Sequence, residues 1–324
     1  MNAPSAAVAT AQALIARGDR SGAIRVIDAA ARREEGDALH LAALWRLIGD
    51  PLPRDLGKAR GLLRRAVLAG HGDAAMTEVA LVANGSGGTA DFAAARRLLA
   101  HAARWHAPAA ADLALVEAMT LTDGGLPRTL PESEPLANAP RLWRYRDFVT
   151  RAEAAAVNAA VADIMAPSVV ADPATGQMRP HPIRTSSGAV IGPTRESLPI
   201  RAINLRFAAA SGLPVTHGEA ISVLHYAPGE EYRRHSDVLP PPYPRRAITM
   251  IAYLNDDFTG GETEFPALGI TVTPRAGDAI LFDNLDRDGR AHPGAVHAGL
   301  PVARGRKQVA TRWIRELPYD PWAG

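Results

Sequence analysis

A chain of 324 residues, 47% of them hydrophobic, can bury two ordinary cores, so two domains are expected. Its 36 basic and 34 acidic side chains leave a formal charge of +2, which excludes a broad electrostatic footprint for nucleic acid or anionic lipid. The absence of cysteine excludes disulfides, thiolate zinc sites, iron–sulfur clusters and a cysteine nucleophile, so any metal must sit on His, Asp or Glu.

The first stretch, MNAPSAAVATAQALIARGDR, has no basic region ahead of a long apolar run, and no later stretch could span a bilayer. A soluble cytoplasmic protein is therefore expected. Residues 10–120 are rich in Ala, Leu and Arg, with apolar positions three and four apart, as in LIARGDRSGAIRVIDAAARR and AARRLLAHAAR, which predicts helices. A period of 36 runs through them: Asp19, Asp55 and Asp91, then Ala23, Ala59 and Ala95, Ile27, Leu63 and Leu99, and Ala30, Ala66 and Ala102. Asp before an Ala-rich run suits a helix N-terminus, because its carboxylate accepts from free backbone N–H groups and meets the positive end of the dipole. Small alanines let neighbouring helices approach. The pattern resembles tetratricopeptide or Sel1-like repeats, helical hairpins stacked into a short solenoid.

From Leu121 the run LTDGGLPRTLPESEPLANAP, full of Pro, Gly and Ser, cannot sustain a helix and reads as a linker, which divides the chain into residues 1–135 and 136–324. An amphipathic helix is expected over about residues 151–165. After it come short β-branched runs between turn residues: AISVLHY, AITMIAYLN, ITVTP, DAILFDN and VATRWIRE.

In EEYRRHSDV, His235 and Asp237 stand two apart in an extended segment, so both side chains leave one face and can share a metal ion. A third ligand from a distant strand would complete a two-histidine, one-carboxylate face with open coordination positions. His297 and His292 both compete for that place. The run after His297 favours it: Lys307, Val309, Thr311 and Trp313 alternate onto one strand face, and a lysine facing a barrel interior is costly unless an anion such as a dicarboxylate pairs with it. His40, His71, His101 and His106 lie in the helical half without a metal-binding spacing and read as surface or packing residues.

Taken in order, the pieces resemble the prolyl 4-hydroxylase family. They are RTSSG from Arg184, Y-x-x-G-x-x-Y-x-x-H-x-D from Tyr226 to Asp237, YLN from Tyr253, GGETEFP from Gly260, and H-x-G-x-P-V-x-x-G-x-K-x-x-x-T-x-W from His297 to Trp313. The resemblance covers about residues 140–318. It implies an α+β multidomain chain, a helical repeat solenoid followed by a double-stranded β-helix (jelly-roll) oxygenase domain. It also implies iron(II) on His235, Asp237 and His297, with 2-oxoglutarate and O2 as cosubstrates and ascorbate as an accessory reductant. Lys307, Tyr226, Thr311 and Tyr253 would hold the cosubstrate, Lys307 and Thr311 at its distal carboxylate. Substrate contacts would fall on Arg184 and Ser186 in a mobile loop, on Tyr232, Arg246 and Trp313. Two departures stand out: Leu300 follows Gly299 where relatives often carry Cys, and the PPPYPRR segment after Asp237 is short, which bears on the substrate entrance.

The expected reaction couples oxidative decarboxylation of 2-oxoglutarate to hydroxylation of a C–H bond, with a prolyl residue in a peptide or protein as the family's substrate and the repeats as its docking surface. No nucleic acid or membrane partner is expected. A free amino acid or small metabolite is the alternative substrate. A nucleic-acid demethylase is disfavoured by the charge balance and the lysine-type distal motif. A non-catalytic barrel in a repeat-based interaction protein is disfavoured because all three ligands and Lys307 are present. Zinc hydrolysis would not need Lys307.

Overall fold

The computed structural model describes residues 5–171 and 177–323, which form two compact units. The helical unit runs up to Met119 and includes Asp123–Gly125 and Pro193–Arg201; the β unit comprises Thr120–Thr122, Leu126–Gly192 and the chain from Ala202 onward.

Seven helices build the repeats: α1 (Ala6–Ala16), α2 (Arg20–Arg32), α3 (Gly36–Ile48), α4 (Leu56–Leu68), α5 (Gly72–Asn84), α6 (Phe92–Ala102) and α7 (Ala107–Ala118), each packed on the next. The period of 36 has a direct structural reading. Asp19, Asp55 and Asp91 are the N-caps of α2, α4 and α6, and their carboxylates accept from the backbone N–H of Gly22, Lys58 and Ala94 at 2.7, 2.9 and 2.8 Å. One turn further, Ala23, Ala59 and Ala95 are fully buried, as are Ile27, Leu63 and Leu99, each of these larger side chains contributing about 1.5–3 kcal/mol by leaving water. Gly49 and Gly85, also 36 apart, end α3 and α5 in the left-handed conformation at φ of 92° and 83°, which a side chain would strain. The backbone N–H of Asp55 and Asp91 then donates to the carbonyls of Arg46 and Val82, both at 2.9 Å, so each hairpin hands over to the next in the same way. His71 caps α5 by accepting from Ala74 N–H, a packing role. Among the described residues no helix is long and apolar enough to cross a membrane.

The β unit carries β1 (Ser133–Asn138), β2 (Arg141–Tyr145), α8 (Arg151–Ala159), β3 (Ala166–Pro167), β4 (Val169–Ala171), β5 (Met178–Pro180), β6 (Ser187–Val190), β7 (Ser222–Tyr226), β8 (Tyr232–His235), β9 (Arg246–Tyr253), β10 (Thr259–Gly260), β11 (Thr263–Phe265), β12 (Ile270–Val272), β13 (Ala279–Asp283), β14 (His297–Gly299), β15 (Val302–Arg304) and β16 (Lys307–Arg315). A further helix, α9 (Leu198–Ser211), precedes β7. An eight-stranded antiparallel sheet has the order β1-β2-β13-β9-β16-β7-β6-β3, and a four-stranded one has the order β12-β11-β14-β8. Leu224, Tyr226, Tyr253, Phe282 and Val309 of the large sheet share one buried cluster with Phe265 and Val272 of the small sheet, the two-layer core of a jelly roll.

Three expectations are corrected. The linker read from Leu121 is not structureless throughout, since Ser133–Asn138 forms an edge strand whose register slips between Pro135 and Ala137, an edge being where a residue without an N–H is tolerated. The helix expected to run to residue 165 ends at Ala159, although Thr150 and Glu153 form a full capping box at its start. Helix α9 was not expected at all, yet Ile203, Phe207 and Ala210 are buried at helical spacing.

Candidate active site

The β8 and β14 strands run antiparallel with His235 directly opposite His297, and Asp237 follows just past the end of β8. One ligand atom from each of the three lies within 4.8 Å of the others. His235 Nε2 is 3.6 Å from Asp237 Oδ1, and His297 Nε2 is 3.8 Å from Asp237 Oδ2. Each imidazole is oriented from behind: Nδ1 of His235 meets the Arg233 carbonyl at 2.8 Å and Nδ1 of His297 meets the Ala295 carbonyl at 3.0 Å. A carbonyl can only accept, so both Nδ1 atoms carry the proton and both Nε2 lone pairs face the carboxylate. Tyr232 stacks on His235 at 3.5 Å between ring centroids, and Phe282 and Phe265 flank His297.

Burial of His297 pushes its imidazole down to about 4, which keeps it neutral and able to ligate at physiological pH. Burial by itself would raise the Asp237 carboxyl, but His297, His235 and the Thr249 hydroxyl outweigh it and hold the group well below the usual carboxylate range. Thr249 Oγ1 donates to Asp237 Oδ2 at 2.7 Å, and Asn284 Nδ2 donates to Thr249 Oγ1 at 2.8 Å. This Asn284–Thr249–Asp237 relay, drawn from β9 and the end of β13, carries no signal in the sequence. His292 stands outside the cluster and accepts from Gly294 N–H as the cap of a short 3-10 turn.

The cluster opens on an interior pocket whose lining includes Tyr226, Thr263, Lys307, Val309, Thr311 and Trp313, so the alternation read along β16 corresponds to one inward face. Lys307 is buried, and burial pushes its ammonium down to about 8. It donates to the Gly261 carbonyl at 2.6 Å and sits 5.5 and 5.8 Å from the ring centroids of Tyr226 and Tyr253. The Tyr253 hydroxyl donates to Thr263 Oγ1 at 2.8 Å, a partner not anticipated. Trp313 Nε1 is buried and has no hydrogen-bond partner among the described residues.

On the other side of Asp237 lies a cavity of about 440 Å³ lined by residues that include His181, Arg184, Tyr232, Arg246, Trp313 and Tyr319. Arg184 holds the Ser168 hydroxyl at 3.2 Å and lies over the Tyr232 ring. Arg246 lies 3.9 Å from the Trp313 ring centroid and pairs with both oxygens of Glu219 at 2.8 Å, so its guanidinium is aimed. Glu219 also accepts from Arg315. Ser186 is fully buried, lines neither cavity, and shares a hydrogen bond with Ser168 Oγ at 3.1 Å. The RTSSG segment is correspondingly tied down, with Arg184 bridged to Tyr232 and Thr185 to Glu231. His181 and Tyr319 were missed because nothing in the chain near them marks a site.

A family model described as the 2OG-Fe(II) oxygenase superfamily matches residues 221–315. Probable prolyl 4-hydroxylase 3 of Arabidopsis thaliana is 33% identical over 211 residues, 58% of this chain and 73% of the relative. Prolyl 4-hydroxylase 1 of Arabidopsis thaliana is 35% identical over 202 residues, 56% of this chain and 71% of the relative. Among solved structures, the 2OG complex of a viral collagen prolyl hydroxylase from Paramecium Bursaria Chlorella virus-1 is 24% identical, with a TM-score of 0.45 over 56% of this chain and 99% of that one.

Proposed function

Because the chain belongs to the prolyl 4-hydroxylase family of 2OG-Fe(II) oxygenases, we propose that it hydroxylates a prolyl residue in a peptide or protein, with iron(II) held by His235, Asp237 and His297. The observation that carries this reading is the pairing of that buried cluster with Lys307, a buried cation whose hydrogen-bond partner is a carbonyl, in one pocket. The donor set fits the ion: two neutral imidazole nitrogens and one carboxylate oxygen make up the face that non-haem iron(II) prefers, with positions left for further ligands. When bound, iron(II) with 2-oxoglutarate and O2 supplies oxidative decarboxylation coupled to C–H hydroxylation, and ascorbate belongs to the same proposal as a reductant that keeps the iron ferrous.

The protein's own groups bind and orient. Lys307 exchanges the Gly261 carbonyl for the distal carboxylate of 2-oxoglutarate, an ion pair that the buried setting strengthens, and Thr311 and the Tyr226 hydroxyl donate beside it. Tyr253, expected at the cosubstrate, is not among the residues lining this pocket and instead holds Thr263, which is. Phe265 and Phe282 keep water from His297. In the outer cavity Arg184 and Arg246 offer donors to peptide carbonyls, and Tyr232 and Trp313 offer aromatic surface to a pyrrolidine ring. Residues 136–324 are assigned to catalysis, and residues 1–135 to docking the peptide or protein substrate.

The test is turnover of 2-oxoglutarate to succinate in the presence of a proline-rich peptide, followed by mass spectrometry of the peptide. A gain of one oxygen on proline that disappears in His235→Ala is expected. Succinate formation that no proline peptide stimulates, with modification of a free amino acid instead, would replace the substrate assignment.

A further inference from the structure

Within the helical unit, a buried ion pair occupies positions that the neighbouring repeat fills with apolar side chains. The step of 36 carries Ile24 onto Arg60 and Ala42 onto Glu78. In the first repeat Ala42 is buried in an apolar cluster against which Ile24 packs. In the second, Arg60 Nη2 lies 3.2 Å from Glu78 Oε1, with the two side chains 11% and 4% exposed. A buried ion pair is rarely more stable than the apolar pair it replaces, so the fold does not require this one.

Glu78 is also incompletely satisfied. Arg60 and Arg64 both donate to Oε1, while Oε2 is buried without a hydrogen-bond partner among the described residues. These side chains line a cavity of about 340 Å³ together with Val82, Arg97 and Leu98. Arg97 is exposed and makes no ion pair or hydrogen bond with any described residue. Arg64 is 62% exposed and Leu98 39%. The cavity thus presents three guanidinium groups against one carboxylate, an unmet acceptor at its base, and an apolar rim.

We propose that this cavity docks an acidic peptide segment. A carboxylate of the segment pairs with Arg97 and Arg64, a backbone N–H donates to Glu78 Oε2, and an apolar side chain covers Leu98 and Val82. Phosphate can pair with the guanidinium groups but has nothing apolar to set against Leu98 and Val82, whereas a peptide brings a carboxylate, backbone N–H donors and an apolar side chain together. This inference rests on the docking role proposed for residues 1–135 and gives it a place and a chemistry.

The experiment is fluorescence anisotropy of the full-length protein with a labelled twelve-residue peptide of Glu, Leu and Gly, and with a counterpart carrying Gln for every Glu. Neither iron nor 2-oxoglutarate is needed, so absent binding counts against this site, and absent turnover counts only against the catalytic reading. The acidic peptide should bind with an affinity that falls with salt, and Arg97→Ala should weaken it about tenfold, the order of one charge-assisted contact. The double variant Arg60→Ile with Glu78→Ala, which copies the first repeat, should unfold at or above the wild-type midpoint and lose the peptide. Equal affinity in wild type and both variants, equal binding of the Gln peptide, displacement by inorganic phosphate as readily as by unlabelled acidic peptide, or no binding at all would overturn the proposal.

Discussion

Lys307 is held in the interior with a carbonyl oxygen as its acceptor and two tyrosine rings alongside, and that setting makes a specific demand on pH. Its ammonium, pushed down to about 8 by burial, must be charged to pair with a carboxylate. Affinity for 2-oxoglutarate should therefore hold steady below that pH and fall by up to about tenfold per unit above it. In Lys307→Ala the affinity should drop by about 10- to 100-fold, the scale of a buried charged hydrogen bond, and lose that pH dependence while iron still binds. An unchanged affinity, measured by titration calorimetry, would remove Lys307 from the cosubstrate site. The hydrogen bond from Thr249 to Asp237 makes a second demand. Thr249→Val should weaken iron(II) about tenfold or more in competition with a chelator, since groups behind a metal ligand typically contribute that much. At this scale legibility follows sequence distance. His235 and Asp237 stand two apart and Lys307, Thr311 and Trp313 share one strand face, so their grouping could be read directly. Asn284, Thr249, His181 and Tyr319 reach the site only through pairing of distant strands, and no local pattern records that.

At the scale of the element, the helical half was legible because its order is repeated. Asp19, Asp55 and Asp91 recur at one step and cap three helices in the same way, so Asp55→Ala should cost about 1 kcal/mol of stability in denaturant unfolding. His40, on α3, gives the helical unit an acid sensitivity. Burial pushes its imidazole down to about 4, below the unfolded value, so the unfolded chain binds the extra proton as pH falls from 6.5 and stability is lost on the way to 4. The loss is on the order of 3 kcal/mol. Asp112, raised to about 6 by burial, works in the opposite sense over part of that range, so the comparison of wild type with His40→Gln isolates the histidine. Parallel pH profiles for the two proteins would contradict this account. The β half was harder to read at this scale. Strands of two to four residues such as β3, β10 and β14 are too short to show alternation, and β1 hides in a Pro-rich run because an edge strand tolerates it. Helix α9 does carry a helical spacing, in Ile203, Phe207 and Ala210.

At the scale of the whole molecule, the boundary read at residue 135 meets a complication. Pro193–Arg201, which follows it in sequence, lies in the helical unit: the Pro193 carbonyl accepts from Asn84 Nδ2, and Ser197 is hydrogen-bonded to Asp112. Deleting residues 1–135 should consequently remove both partners and lower the stability of what remains, as well as impair action on a protein substrate. Point variants in the repeats separate docking from folding more cleanly. A near-native unfolding midpoint for the truncated chain would mean that the Pro193–Arg201 segment holds itself.

The central claim is that His235, Asp237 and His297 hold iron(II) beside a site for 2-oxoglutarate. Anaerobic titration of the iron(II)-loaded protein with 2-oxoglutarate tests it without knowledge of the substrate. A weak visible charge-transfer band should grow to saturation, vanish in His297→Ala and persist in His292→Ala. No band from protein with iron bound, or a band that survives loss of His297, would contradict the assignment.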